Sequence, residues 1–254
     1  AWITTLRGAD VDYNPVFLAH LLVDAAGATL FVGAGKVPAG LVAELAADGV
    51  RVADYAQASM ALAALPADAV LLLDPRRVTL GLREQVAPGV RVVEAINPSV
   101  LAKSRKSDAE AAFIHEAMAE DGAAMCAFYA RFEAALARGE RMSELTVDEW
   151  ISAERARRAG FVGLSFSTIA GFNANGALPH YRATPESFAW IEGNGLLLID
   201  SGGQYLGGTT DITRVWPIGE VSAAQRRDFT LVLKALMNLS RTRFPRGTPG
   251  PMLD

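Results

Sequence analysis

Leu196-Leu197-Leu198-Ile199-Asp200-Ser201-Gly202-Gly203-Gln204-Tyr205-Leu206-Gly207-Gly208-Thr209-Thr210-Asp211-Ile212-Thr213-Arg214 is the stretch that decides how this chain is read. An apolar run that reads as a buried strand ends on a carboxylate, and past a Gly-Gly pair a second β-like segment opens with another. Two acids on one hairpin suggest a site for a hard cation, which takes oxygen ligands. The competing reading is that both aspartates simply cap turns. An ionised carboxylate at the end of an apolar strand needs a partner, which counts against it.

A two-residue turn at Gly207-Gly208 pairs 206 with 209, so Gln204 faces Asp211 and Asp200 faces Val215. Asp200 and Asp211 then share a face but stand about 13 Å apart along the ribbon. Paired catalytic metal ions lie only about 3.5–4 Å apart. The expectation is therefore a bend or bulge at Ser201-Gly202-Gly203 that swings Asp200 toward Asp211.

Working outward, the hairpin lies in a β-rich stretch, 161–218, between helical segments. Ser107-Asp108-Ala109-Glu110 is a capping box that opens a helix from 108 to about 138, stopped by Gly139. Its buried stripe is expected to hold Ala112, Ile114, Ala117, Ala124, Met125, Phe128 and Phe132. A second box, Thr146-Val147-Asp148-Glu149, starts a shorter helix whose end carries Arg155, Arg157 and Arg158, where basic side chains complement the helix dipole. A third, Ser222 to Gln225, opens a helix to about 242. From 27 to 94 apolar runs alternate with amphipathic ones, which predicts an α/β layer. The domains expected are a small three-layer α/β domain over 1–95, a polar linker over 96–106, and an α+β domain over 107–254.

The chain has 254 residues, 51% of them hydrophobic and 20% charged, enough apolar material for a core without disulfides. Cys126 has no second cysteine to pair with and reads as a small core residue of the long helix. With 24 basic and 28 acidic residues and no basic block, nucleic acid and anionic membranes are poor partners. No apolar run reaches the length of a membrane span, and the opening residues do not read as a charged region followed by an apolar stretch and a cleavage site, so a cytoplasmic protein is expected. Gly33-Ala34-Gly35-Lys36 lacks phosphate-loop spacing and reads as a tight turn. Of three histidines, His20 sits in an apolar stretch and His115 inside a helix, whereas His180 follows a turn-rich approach and can donate or accept a proton near neutral pH.

Residues 200–214 resemble the first metal-ligand motif of the Xaa-Pro aminopeptidases, members of the pita-bread metallopeptidases. Asn175-Gly176-Ala177 leading to His180-Tyr181-Arg182 resembles their substrate-histidine segment. Leu6 to Asp10, with Tyr13-Asn14-Pro15-Val16, resembles part of the second domain of the larger, three-domain forms. The resemblance implies that 1–95 is a creatinase-N-like domain and that 107–254 is the first half of a pita-bread catalytic domain. It makes Asp200 and Asp211 two ligands of a centre of two divalent ions, manganese with zinc or cobalt as alternatives, with Asp211 bridging. It makes Thr213 a hydrogen-bond partner behind them and His180 a substrate contact or proton shuttle.

The implied reaction removes the N-terminal residue from peptides with proline in second position, by attack of a metal-bridging water. Val215-Trp216 and Ala183 depart from the usual neighbours, which bears on fine specificity. The family's remaining ligands, one His and two Glu, do not occur downstream of Asp211 in the pattern required. The chain opens on Ala1-Trp2-Ile3 without an initiator Met and closes on Pro251-Met252-Leu253-Asp254, so both ends are expected to be cut. The parent is then expected to be a homodimeric aminopeptidase and this fragment to be inactive alone. The alternatives are a prolidase-like or creatinase-like relative, or a metal-free binding module of the same descent.

Overall fold

The computed structural model describes residues 2–253, which separate between Ala111 and Ala112 into two compact units. The first unit runs β1 (Ala19–Asp24), β2 (Gly27–Val32), α1 (Ala39–Ala47), β3 (Val50–Asp54), α2 (Gln57–Ala63), β4 (Val70–Leu73), α3 (Leu80–Arg83), β5 (Arg91–Glu94) and α4 (Pro98–Ser104). The expected alternation is there, and each parallel pairing has the helical crossover it requires. β1 and β2 form an antiparallel hairpin, β3 joins β2 in parallel through α1, and β4 pairs β5 in parallel. Leu30, Val32 and Leu45 are buried at the centre, with Phe17, Leu21, Leu41 and Val52 packed around them. Gly33–Lys36 is a tight turn, with Gly35 at φ 78°. The Lys36 ammonium pairs with the Asp10 carboxylate. The polar stretch expected as a linker carries α4, whose Asn97 cap accepts from the Ser99 amide at 2.9 Å.

The second unit is built on α5 (Asp108–Ala137) and α6 (Glu144–Ala156). β6 (Phe161–Leu164), β7 (Ile169–Phe172), a 3-10 turn (Asn173–Ala177), β8 (Gly195–Ser201), β9 (Gly203–Tyr205), β10 (Ile212–Ile218) and α7 (Ala223–Arg241) follow. The Ser107–Glu110 box caps α5, and Gly139, at φ 69°, ends it. α6 starts earlier than expected. Its cap is Ser143, in a reciprocal box with Thr146, so Thr146 occupies the third helical position rather than the cap. The sheet order is β10-β8-β7, all antiparallel, and β6 pairs antiparallel with β9.

α5 and α6 cover one face of the three-stranded sheet. Met125, Phe128, Phe132, Val147 and Ile151 pack there against Ala170, Leu197, Ile199, Ile212 and Ile218. β8 alternates strictly, so Leu197, Ile199 and Ser201 face the helices while Leu196, Leu198 and Asp200 face away. The buried stripe of α5 is Ala117, Asp121, Ala124, Met125, Phe128, Phe132 and Ala135, which keeps the helical spacing but contains a carboxylate and leaves Ala112 exposed.

Arg155 resolves that conflict. It does not complement its helix end from solvent, as expected, but is fully buried and bonded to Asp121 through Nε at 2.6 Å and Nη2 at 3.1 Å. Cys126 corrects a second expectation: it is exposed, because one residue past Met125 the helix has turned its side chain off the stripe. Among the described residues no helix is long and apolar enough to cross a membrane. α7 leaves Phe229, Leu233, Leu236 and Leu239 exposed along one stripe.

Candidate metal centre

The observed hairpin differs from the expected one by a single residue at its tip. The Tyr205 amide donates to the Gly208 carbonyl at 2.8 Å, and the Gly208 amide returns a bond to Tyr205 at 3.3 Å, so Leu206-Gly207 occupy the turn. Moving the turn back by one residue shifts the register by two. Asp200 therefore faces Thr213, not Val215, and Ser201 faces Ile212. The Gln204–Thr209 bridge and the Thr210 amide's bond to Gly203 at 2.9 Å keep the same register toward the tip. This puts Asp211 across from Gly202, so Asp200 and Asp211 are diagonal neighbours on the outward face, about 7–8 Å apart at the backbone. Register alone brings the acids together, without the swing that was expected.

Gly202 has a different purpose. Between β8 and β9 the ribbon leaves the β7-β8-β10 sheet and pairs with β6, and a Cβ at Gly202 would stand 2.0 Å from the Thr210 carbonyl oxygen and 2.3 Å from Ser165 Oγ. Ser165 ties this crossing, its amide bonding Gly202 O at 3.1 Å and its hydroxyl Thr210 O at 2.8 Å. None of Gly202, Gly203, Gly207 and Gly208 has a positive φ, so close approach rather than a left-handed backbone demands glycine at 202.

The Thr213 hydroxyl donates to Asp200 Oδ1 at 2.7 Å, as its place in the register dictates. Asp211 is held above the usual carboxylate range by loss of solvation, then by the like charge of Asp200, then by a hydrogen bond with the Asp200 side chain. Two carboxyl groups this close form a hard-oxygen pair, and a divalent cation between them would relieve their repulsion. Among the described residues no third His, Cys, Asp or Glu joins them in a cluster. The chemistry of the pair, two hard oxygen donors side by side, fits a divalent cation.

His180 lies on an exposed turn. The Tyr181 amide donates to Leu178 O at 3.2 Å, Pro179 takes the first central position, and His180, at φ 56°, takes the second, where a type II turn demands a positive φ. Its segment starts on the face that carries Asp200. The 3-10 turn lies flat on the sheet there, since a Cβ at Gly176 would come within 2.9 Å of Gly171 O and 3.5 Å of Leu198 Cβ. Leu198 shares its face with Asp200, two residues on. The structure thus brings Asp200, Asp211 and Thr213 together and does not draw His180 into a ligand cluster with them. His20 lies on β1 with its ring against Tyr55, centroids 4.7 Å apart, and burial lowers its pKa. His115 is exposed on α5.

Glu144 is a residue that the motifs did not single out. An acid in the first turn of a helix looks like an ordinary dipole partner, yet this one is fully buried. It accepts hydrogen bonds from both ends and the middle of the His180 segment.

Comparison with known proteins places the chain. The profile of metallopeptidase family M24 matches residues 112–254, and that of the creatinase/prolidase N-terminal domain matches residues 1–110. The chain belongs to metallopeptidase family M24. Its fold is a creatinase-type N-terminal domain followed by part of a pita-bread domain, as the resemblance implied. Among its M24 relatives it is 35% identical to a probable Xaa-Pro aminopeptidase P of Botryotinia fuckeliana, over 100% of this chain and 40% of that protein. Aminopeptidase P2 of Arabidopsis thaliana is 33% identical, again over 100% and 40%. The crystal structure of an X-prolyl aminopeptidase from Caenorhabditis elegans, described as a cytosolic enzyme with a di-nuclear active site, superposes with a TM-score of 0.89 at 27% identity, covering 100% of this chain and 42% of that one. The chain therefore spans about two fifths of the length of these M24 proteins.

Proposed function

We propose that this chain is part of a metal-dependent aminopeptidase that removes the N-terminal residue from peptides with proline in second position. The observation that carries the reading is the diagonal Asp200–Asp211 pair, two carboxylates set side by side by the register on the outward face of a hairpin in a chain of family M24. Asp200 and Asp211 would hold the divalent ions, manganese in this reading with zinc or cobalt able to replace it, each giving carboxylate oxygens to them. When bound, such a pair activates a water near neutral pH and polarises the scissile carbonyl. Thr213 orients Asp200 by its 2.7 Å bond. His180 contacts the substrate beside the scissile bond, where its imidazole can accept or return a proton. The whole protein is cytoplasmic and homodimeric in this reading. The remaining ligands come from outside these residues, so the 254-residue chain is inactive by itself.

The test is hydrolysis of tripeptides by the full-length gene product with Mn²⁺ added. Expected is release of the first residue only where proline stands second, loss of most turnover in His180→Ala, and no turnover by the 254-residue chain. Cleavage indifferent to the position of proline would overturn the substrate assignment, and turnover by the isolated chain would overturn the divided site.

A further inference from the structure

We propose that Glu144 is a positioning residue, whose carboxylate sets the shape of the segment carrying His180. The part of this inference that concerns turnover rests on the function proposed above. The part that concerns the segment's shape stands on geometry alone.

Residues 173–189 connect β7 to the Ser143–Trp190 bridge with one 3-10 turn and an isolated Thr184–Ser187 bridge. A connection longer than about 12–15 residues without a ladder of its own needs outside support to keep one conformation. Glu144 provides it at four points: the Phe172 amide at 2.7 Å, the Asn175 side-chain amide at 3.0 Å, the Tyr181 hydroxyl at 2.7 Å and the Ala189 amide at 2.7 Å. A carboxylate has about four acceptor sites, and here all are used. The Glu144 amide also donates to Ala189 O at 3.1 Å, so the far end of the segment is held twice.

Four donors and no ion pair among the described residues make this carboxylate a hub of hydrogen bonds rather than half of a salt bridge. Asn175 also donates to the Tyr181 hydroxyl at 2.9 Å, which closes a triangle with Glu144 directly beside His180. Tyr181 keeps its proton, its pKa pushed up to about 12 by burial and by the bond to Glu144. His180 itself holds φ 56°, a conformation that a residue with a side chain keeps only where its surroundings over-determine it. The clasp on its neighbour Tyr181 supplies that determination.

The test uses Glu144→Gln and Tyr181→Phe in the full-length protein, read first by amide hydrogen exchange. Glutamine offers one acceptor oxygen in place of two and adds two donors, so part of the clasp must open. Expected is a rise of about tenfold or more in exchange across 172–189 for Glu144→Gln, and a smaller rise for Tyr181→Phe, with β8 and β10 unchanged. Tyr181→Phe carries the test if Glu144→Gln does not fold. Turnover of a Xaa-Pro tripeptide is then measured in a cycle with His180→Ala. If Glu144 acts through His180, Glu144→Gln slows the enzyme but costs nothing further in the His180→Ala background. Unchanged exchange in both variants overturns the clasp, and an equal loss of turnover in both backgrounds overturns its action through His180. Raised exchange with a neutral His180→Ala upholds the clasp and instead overturns the substrate role given to His180.

Discussion

Asp121→Ala should lower the unfolding free energy of the second unit by about 3–5 kcal/mol, because it strands a fully buried guanidinium. Arg155 is inaccessible to solvent and gives two of its nitrogens to Asp121. The Tyr205 hydroxyl, which bonds Asp121 at 2.9 Å, loses that acceptor in the same variant. Tyr205 ends β9, so the damage should spread from the two helices into the hairpin. Denaturant unfolding followed by fluorescence of Trp150, Trp190 and Trp216 reads the effect. The double change Asp121→Leu with Arg155→Met should recover most of the loss, since apolar side chains of similar volume can replace a buried pair at little cost. A single variant within about 1 kcal/mol of the parent would show that the pair is not the anchor described.

The second large effect separates the protein with and without cation. Asp211 is an acid whose folded pKa is raised, so its contribution to stability is complete below the unfolded carboxylate range and is lost as pH rises through the folded value. Near neutral pH its ionised form, facing Asp200, therefore opposes folding. Asp211→Asn should raise the metal-free melting temperature slightly at pH 7, and the gain should vanish in acid. The size is modest because Asp211 is exposed. Mn²⁺ reverses the ranking. At about a hundred times its dissociation constant it should stabilise the parent by about 2.7 kcal/mol and leave the variant unchanged. Equal stabilisation of both proteins would remove Asp211 from the ligand set.

Much of this architecture is legible in the residues themselves. Ser107, Glu110 and Gly139 bound α5, and the apolar runs at 28–32, 50–52 and 70–73 are strands, because caps and periodicity are local signals. The strand-end position of Asp200 is legible for the same reason, and it singles out the candidate cation site. Register was not legible. Leu206-Gly207 and Gly207-Gly208 both suit a two-residue turn, and a choice of one residue moves every cross-strand pair by two. Long-range partners were not legible either. Asp121 keeps stripe spacing with Ala117 and Ala124, which marks it as a buried charge, but its partner lies 34 residues downstream, where an arginine near a helix end has a sufficient local explanation. Glu144 was hidden likewise by a local role that any first-turn acid could fill.

The left-handed backbone at His180 sets two demands against each other. Glycine is the residue most at ease with such a dihedral, so His180→Gly should fold at least as firmly as the parent, while His180→Ala relieves none of the strain. Both delete the imidazole, and peptide turnover should fall alike in the two. A histidine kept where the main chain would rather have no side chain at all is a small, standing debit in folding, and a comparison of melting temperatures between the two variants measures it directly.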